Sequence, residues 1–204
     1  MKNEVKLGLA SVAALAAGST AASAGSGGYE WSGPYAGISA GMLFGDIAYA
    51  STSDDYKLKG NFTPGMFAGY NWESHSGTVI GIELAGEFPM LGTSNTSTSY
   101  PNSYGYSYLV DGKVKFGKAF GQDDRVLLYG FGGGTIGSAK NYESEQDYSV
   151  YGVNYGIGLD YAVSERLRLG IEATGRTVNG YYDQTAHNRW YTFGEVAVRA
   201  SFNF

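Results

Sequence analysis

The stretch WYTFGEVAVRASFNF, residues 190–204, decides the fold, because apolar and polar side chains alternate along it up to a terminal aromatic residue. One face carries Thr192, Gly194, Val196, Val198, Ala200, Phe202 and Phe204, and the other carries Phe193, Glu195, Ala197, Arg199, Ser201 and Asn203. A period of two is typical of a β-strand. A terminal strand frays unless it is paired, so we expect this strand to pair with the first one and close a barrel.

Seven upstream segments show the same alternation, and the connections between them are long and short in turn. The predicted strands cover residues 35–45, 62–72, 79–88, 104–118, 126–137, 148–162, 167–176 and 190–204. Strands of roughly ten residues joined in this way are typical of an outer-membrane barrel. The sequence therefore predicts an all-β protein, an eight-stranded antiparallel up-and-down transmembrane β-barrel. We expect it in the cell outer membrane, with both termini periplasmic and the long loops extracellular.

Residues 1–24 have the pattern of a secretory signal peptide. Lys2 and Lys6 precede a short apolar run, and Ala22-Ser23-Ala24 offers small residues for cleavage. The apolar run is too short to cross a bilayer as a helix, and no later segment reaches the required length. We therefore predict that residues 25–204 form the barrel domain and that the chain is exported.

The composition narrows the chemistry that the protein can perform. The 204-residue chain contains no cysteine, which excludes disulfides and thiolate metal sites. Its formal net charge of -5 is unfavourable for binding nucleic acid. No cluster of metal-ligating residues is evident, so we expect neither a metal nor another cofactor.

Alternation alone does not say which face points outward, because soluble lipocalin-type barrels have the same period with apolar residues inside. The polar face is rich in glycine, as the narrow interior of an eight-stranded barrel requires. Aromatic residues crowd the strand ends, as in the girdles at the membrane interfaces. They are Tyr35, Phe44, Trp72, Phe88, Tyr108, Tyr148, Trp190 and Phe204. These features favour a transmembrane barrel over a soluble one.

The fifth strand has the weakest pattern, because glycines interrupt it. We assign Leu127, Tyr129 and Phe131 to its apolar, outward face and its small residues to the interior. Gly132, Gly134 and Gly137 match a dinucleotide-binding pattern, but a polar loop follows where that motif requires a helix.

The polar face predicts an interior network of charges of both signs. Its acidic members are Glu83, Glu87, Asp111, Asp160, Glu172 and Glu195, and its basic members are Lys113, Lys115, Arg168, Arg176 and Arg199. Charges removed from water must be paired. Counting from the nearest short turn predicts pairs of Glu83 with Lys113 or Lys115, Asp160 with Arg168, and Glu172 with Arg199. Such an interior indicates a plugged barrel.

The sequence resembles the small outer-membrane barrel proteins of the OmpA-like and opacity-protein-like group, the porin family. The resemblance is carried by Trp31-Ser32-Gly33-Pro34-Tyr35-Ala36-Gly37, Gly69-Tyr70-Asn71-Trp72, Gly81-Ile82-Glu83, Leu159-Asp160-Tyr161 and Phe202-Asn203-Phe204. It implies insertion by the barrel-assembly machinery, with Val196, Val198, Phe202 and Phe204 as the assembly signal. It also implies contact with outer-membrane lipid and lipopolysaccharide, and with a host or extracellular ligand through the loops.

Three functions remain open at this stage. The first is a structural and surface-interacting barrel that contributes to envelope integrity, and the second is a narrow diffusion porin. The third is an enzyme that modifies lipid A, which needs a histidine beside a serine or a carboxylate. His75 falls in a short turn, and His187 with Asp183 falls in the last loop, where a rigid site is hard to hold. We therefore expect no enzymatic activity.

Overall fold

A computed structural model of the chain describes residues 28–48, 55–90, 104–141, 146–182 and 187–204. The predicted signal peptide and its cleavage site lie outside these residues. Eight strands account for most of the described chain. They are β1 (Gly33–Ala48), β2 (Asp55–Glu73), β3 (Thr78–Glu87), β4 (Tyr104–Phe120), β5 (Val126–Asn141), β6 (Gln146–Ala162), β7 (Leu167–Tyr182) and β8 (His187–Asn203). Among the described residues, no helix is long and apolar enough to span a membrane.

The strands form one closed barrel in which each strand pairs with its neighbours in sequence. All of the pairings are antiparallel, and β8 closes the barrel against β1 over the register Tyr35↔Asn203 to Phe44↔Gly194. Phe204 extends this seam by donating its backbone N–H to the carbonyl of Pro34. The predicted eight-stranded up-and-down barrel is therefore confirmed.

The outer surface of the barrel is apolar and the inner surface is polar. Ile38, Phe116 and Ile157 point outward and expose 64 to 68% of their surface. A soluble barrel would leave such side chains in water, whereas a membrane supplies lipid for them. The alternation along the strands thus belongs to a transmembrane barrel, and the soluble alternative is wrong.

The two ends of the barrel differ. At one end, which we call the terminal end, the chain enters β1 and leaves β8, and three short connections join β2 to β3, β4 to β5 and β6 to β7. At the opposite loop end, several strands run past the predicted boundaries: β2 begins at Asp55, and β7 ends at Tyr182. Much of the sequence assigned to long loops is therefore extended hairpin, because polar residues beyond the membrane still form ladder hydrogen bonds.

The predicted second strand, residues 62–72, would place Pro64 close to its loop end, but this is wrong because β2 begins nine residues before Pro64. Its carbonyl accepts a hydrogen bond from the backbone N–H of Phe88, directly after the end of β3. In an antiparallel strand the N–H and carbonyl of one residue face the same neighbour. The missing N–H of Pro64 therefore faces the end of the ladder, where it costs little.

The face assignment of β5 is also wrong. Leu127, Tyr129 and Phe131 are buried in the interior, while Gly132 and Gly134 lie on the outward face. Because glycines occupy several outward positions, few apolar side chains of this strand face lipid. The large inward residues therefore formed the more apolar of the two alternating sets, and the faces were assigned the wrong way round. Leu128 and Ile136 show the true outward phase, since each exposes at least half of its surface.

Candidate functional site in the barrel interior

The charged residues of the polar face all lie inside the barrel. Each of the eleven residues predicted for the interior network exposes at most 8% of its surface. They come from β3, β4, β6, β7 and β8, and the strand register arranges them at successive heights. An ion held in this way must find partners within the lumen, because water is scarce there.

The middle cluster consists of Glu83, Lys113, Lys115, Glu172 and Arg199. Glu83 accepts from Arg199 at 2.6 Å and from Lys115 at 3.2 Å, and it lies 3.6 Å from Lys113. Glu172 pairs with Lys113 at 2.7 Å and also with Arg199. The structure thus brings together Glu83 with both lysines and Glu172 with Arg199. The contact of Arg199 with Glu83 joins β8 to β3 across the lumen.

Aromatic side chains complete the middle cluster. Tyr35 donates its hydroxyl to Glu83, and Tyr129 donates its hydroxyl to Glu172, each at 2.9 Å. The guanidinium of Arg199 lies over the ring of Phe67, 3.8 Å from its centroid. Tyr129 fits because Gly158 faces it on β6, where a Cβ atom would overlap the ring.

The upper cluster lies nearer the loop end and is built around Arg176, which is fully buried. Its guanidinium contacts Glu87 at 2.5 Å, Asp111 at 2.6 Å and Glu195 at 2.7 Å. Asp111 also accepts the hydroxyl of Thr135 at 2.6 Å. One cation therefore holds carboxylates from β3, β4 and β8, which ties three strands to β7.

The terminal end is closed by the segment that precedes β1. Trp31 is fully buried; its indole N–H donates to the carbonyl of Asp124, and its backbone N–H donates to Glu73, both at 2.8 Å. Tyr29 packs edge-on against Trp31 with ring centroids 4.9 Å apart. We call Tyr29 and Trp31, with the apolar residues that they contact, the terminal cap.

Arg168 belongs to the terminal cap and not to an ion pair with Asp160, as the sequence predicted. Its Nε donates to the Tyr29 hydroxyl at 2.8 Å, and its guanidinium lies 4.7 Å from the centroid of the Trp31 ring. Arg168 lies opposite Ala162 in the register, whereas Asp160 lies opposite Gly170. Within the described ranges, Asp160 has no cationic atom within 4.0 Å, although it is buried near the middle cluster.

An apolar layer fills the interior at the loop end. It consists of Leu43, Leu109, Val150, Val178 and Phe193, all of which are buried. Tyr106 packs against this layer with its ring centroid 5.0 Å from that of Phe193. Between the middle and upper clusters lies a cavity of roughly 10 Å³, about the size of one water molecule.

The positions of two interior residues were not predicted correctly from the sequence. Trp31 was not predicted to lie in the interior, although it begins the Trp31-Ser32-Gly33-Pro34-Tyr35 stretch. Tyr35 was assigned to the outer girdle, but it exposes only 3% of its surface and contacts the middle cluster. Tyr35 alternates with the outward residues Ala36 and Ile38, so its phase places it inside. The other described girdle residues point outward: Phe44, Trp72, Phe88, Tyr108, Trp190 and Phe204.

The remaining predicted site residues lie outside the network. Val196, Val198, Phe202 and Phe204 expose 47 to 63% of their surface on the outward face of the last strand and its terminal residue. His75 is exposed in the short turn after β2, His187 begins β8, and Asp183 lies outside the described residues. Among described residues, no group of three or more His, Cys, Asp or Glu side chains is arranged to hold a metal ion.

Sequence comparison relates the chain to outer-membrane proteins. The profile of a family described as "Outer membrane protein beta-barrel domain" matches residues 10–204. The 31 kDa outer-membrane immunogenic protein of Brucella melitensis is 28% identical over 171 residues, which cover 71% of this chain and 70% of the relative. The 22 kDa outer membrane protein of Rhizobium leguminosarum bv. viciae is 28% identical over 145 residues, covering 70% and 62% of the two chains.

Solved structures show the same fold. Ail, the attachment invasion locus protein of Yersinia pestis, superposes with a TM-score of 0.50 and 16% identity, covering 85% of this chain and 97% of the other. Neisserial surface protein A superposes with a TM-score of 0.53 and 15% identity, covering 85% and 98%. At these identities the likeness concerns the fold alone.

Proposed function

Because the chain belongs to the outer membrane protein beta-barrel domain family and lies in the outer membrane, we propose that it is a closed, non-conducting barrel that presents its loop end as an interaction surface. The observation that carries this proposal is the series of packed clusters that the described residues form inside the barrel. The terminal cap, the middle cluster, the upper cluster and the apolar layer follow one another along the axis.

The filling supports closure because each level opposes the passage of a hydrated ion. The terminal cap and the apolar layer offer no replacement for the hydration shell of an ion. In the two clusters every cation already contacts a carboxylate, and breaking a buried pair costs about 3 to 5 kcal/mol. We therefore favour the structural role over the narrow diffusion porin.

The closed interior predicts a silent barrel in planar bilayers. We expect the folded protein to produce no steady single-channel openings over the usual range of applied voltages, because buried side chains of the described residues occupy the lumen at several levels. The measurement is single-channel conductance of refolded protein whose barrel structure is verified by circular dichroism. Reproducible openings whose conductance scales with salt would instead support the porin and overturn the proposal.

The surface role rests on the asymmetry of the two ends. The terminal end has short connections and is sealed by the chain itself, whereas several hairpins at the loop end project beyond the predicted strand limits. The name of the Brucella melitensis relative, an outer-membrane immunogenic protein, supports exposure of such a surface. We propose that the loop end is extracellular and contacts lipopolysaccharide and host or extracellular ligands, and that both termini are periplasmic.

This orientation predicts which connections are accessible on intact cells. An epitope inserted in the connection between β1 and β2 should be labelled by antibody on unpermeabilised cells, whereas the same epitope after Ser76 should be labelled only after permeabilisation. The two insertions are matched, because both interrupt hairpins that involve β2. Labelling after Ser76 on intact cells would reverse the proposed orientation.

Two further roles complete the proposal. We propose that the barrel contributes to envelope integrity and that the barrel-assembly machinery inserts it by reading the outward residues Val196, Val198, Phe202 and Phe204. The described residues provide no observation that favours a lipid A-modifying enzyme. His75 lies on a turn at the terminal end, away from the strand faces where a catalytic group would be held rigidly.

A further inference from the structure

The upper cluster contains more negative charge than its cation can neutralise. Arg176 is the one cation within 4.0 Å of Glu87, Asp111 and Glu195 among the described residues. Unpaired buried charge is strongly unfavourable, so the excess must be neutralised by a bound cation or proton.

Glu87 identifies where the missing positive charge lies. Its Oε1 contacts Arg176, but its Oε2 is buried and has no hydrogen-bond donor. Glu87 and Glu195 bind the two terminal nitrogens of the same guanidinium and line the same small cavity, so their carboxyl groups are neighbours. An ionised carboxylate only accepts hydrogen bonds, so a buried Oε2 without a donor suits a carboxyl group that carries a proton of its own.

Asp111 does not hold that proton. Both of its oxygens accept hydrogen bonds from Arg176, and Oδ1 also accepts from Thr135. This set of donors matches an ionised carboxylate. The excess charge therefore resides on Glu87 and Glu195.

We propose that the folded barrel binds one proton at neutral pH and that Glu87 holds it beside Glu195. The site forms when β3 and β8 come together around Arg176, and the proton comes from solvent as the barrel folds.

The other charged groups around the pair fit this assignment. β4 contributes Asp111 and Lys113, and β7 contributes Arg176 and Glu172. β3 and β8 add Glu83 and Arg199, which pair with each other on the other side of the small cavity. On β5 and β6, Thr135 donates to Asp111 and Asn154 donates to Thr135, and both of these side chains are neutral. From β1 and β2, the residues that line the cavity are Ser39 and Phe67, which are also neutral. Each of the three cations of the middle cluster contacts Glu83 or Glu172, and none of them is within 4.0 Å of Glu87 or Glu195 among the described residues.

The test is the pH dependence of unfolding in lipid vesicles. Unfolded glutamate is ionised above about pH 5.5, so unfolding at neutral pH releases the bound proton. The folded state therefore loses stability as pH rises, until Glu87 ionises in the barrel. Between about pH 6 and about pH 8, the unfolding constant of the native chain should rise with pH more steeply than that of Glu87→Gln, by a factor of about ten per pH unit.

Two variants and a salt control distinguish a bound proton from a bound metal cation and from a general loss of ion pairs. Glu87→Gln should fold at neutral pH, because an amide replaces the neutral carboxylic acid. Glu83→Gln should raise the unfolding constant more than a hundredfold at pH 7, because it leaves Arg199 and Lys115 short of their carboxylate. Equal pH slopes for the native chain and Glu87→Gln would overturn the proposal. So would a stability that depends on the concentration of sodium at constant ionic strength and not on pH.

The native barrel itself provides a second test if the variant fails to fold. Infrared spectra of the folded protein at neutral pH should contain the carbonyl stretch of a protonated carboxylic acid, and this band should disappear on unfolding. A folded barrel without the band has no bound proton, which would overturn the proposal.

Discussion

Replacing Arg176 with alanine is expected to destabilise the barrel more than any other single change in the interior. The substitution removes the shared partner of Glu87, Asp111 and Glu195, all of which stay buried. Breaking one buried pair costs about 3 to 5 kcal/mol, and this change breaks three contacts of one cation, so we expect about 5 kcal/mol or more. The measurement is equilibrium unfolding by denaturant in lipid vesicles, in which the variant should unfold at a much lower midpoint.

Alanine variants of two other arginines provide comparisons for the destabilisation expected of Arg176→Ala. Arg199→Ala should cost less than Arg176→Ala, because Lys113 and Lys115 remain beside Glu83 and Lys113 remains beside Glu172. Arg166 lies exposed in the turn between β6 and β7, so Arg166→Ala should change the stability by less than about 0.5 kcal/mol. An Arg176→Ala barrel as stable as Arg166→Ala would mean that the upper cluster is open to water.

The fold was predictable because a barrel repeats one rule along the whole chain. Apolar and polar residues alternate, and a shift of one residue would move every side chain of a strand to the wrong face. The rule failed on β5, where glycines occupy outward positions and the inward residues Tyr129 and Phe131 are large. The alternation also did not predict where the strands end at the loop end, since hairpins continue beyond the membrane without needing apolar residues.

The interior residues were predictable, but their partners were only partly so. Contacts between neighbouring strands follow from the distance to a shared turn, as for Glu83 with Lys113, which are direct partners on β3 and β4. Contacts across the lumen depend on barrel closure and on the reach of each side chain. The contact between Arg176 and Glu87 is of this kind, because β7 and β3 are not neighbours.

Arg168 shows why counting from a turn is insufficient. The count predicted a partner on β6, but the segment before β1 folds into the lumen and provides Tyr29 and Trp31. Nothing in the alternation of the strands indicates where a segment outside them will pack. The fold thus followed from periodicity, while the terminal cap required the three-dimensional structure.

Replacing Trp31 with alanine is expected to destabilise the terminal end by about 3 to 5 kcal/mol. The side chain is fully buried, and its removal leaves a cavity beside Tyr29, deprives the Asp124 carbonyl of its donor, and exposes the guanidinium of Arg168. The measurement is again unfolding by denaturant in vesicles. Trp31→Phe keeps most of the volume but loses the indole N–H, so we expect it to fall between the native chain and Trp31→Ala.

Trp190 provides the control for this variant, because it exposes 60% of its surface on the outside of β8. Trp190→Ala should cost clearly less than Trp31→Ala, since the lost contacts are with lipid and not with a packed interior.

Single-channel conductance of Trp31→Ala distinguishes the terminal cap from the two ion clusters as the barrier to ions. The Trp31→Ala barrel should stay silent, because the middle and upper clusters still fill the barrel above the cap. If Trp31→Ala gave steady openings and the native chain did not, Trp31 would be the barrier to ions, and the ion network would contribute only to stability.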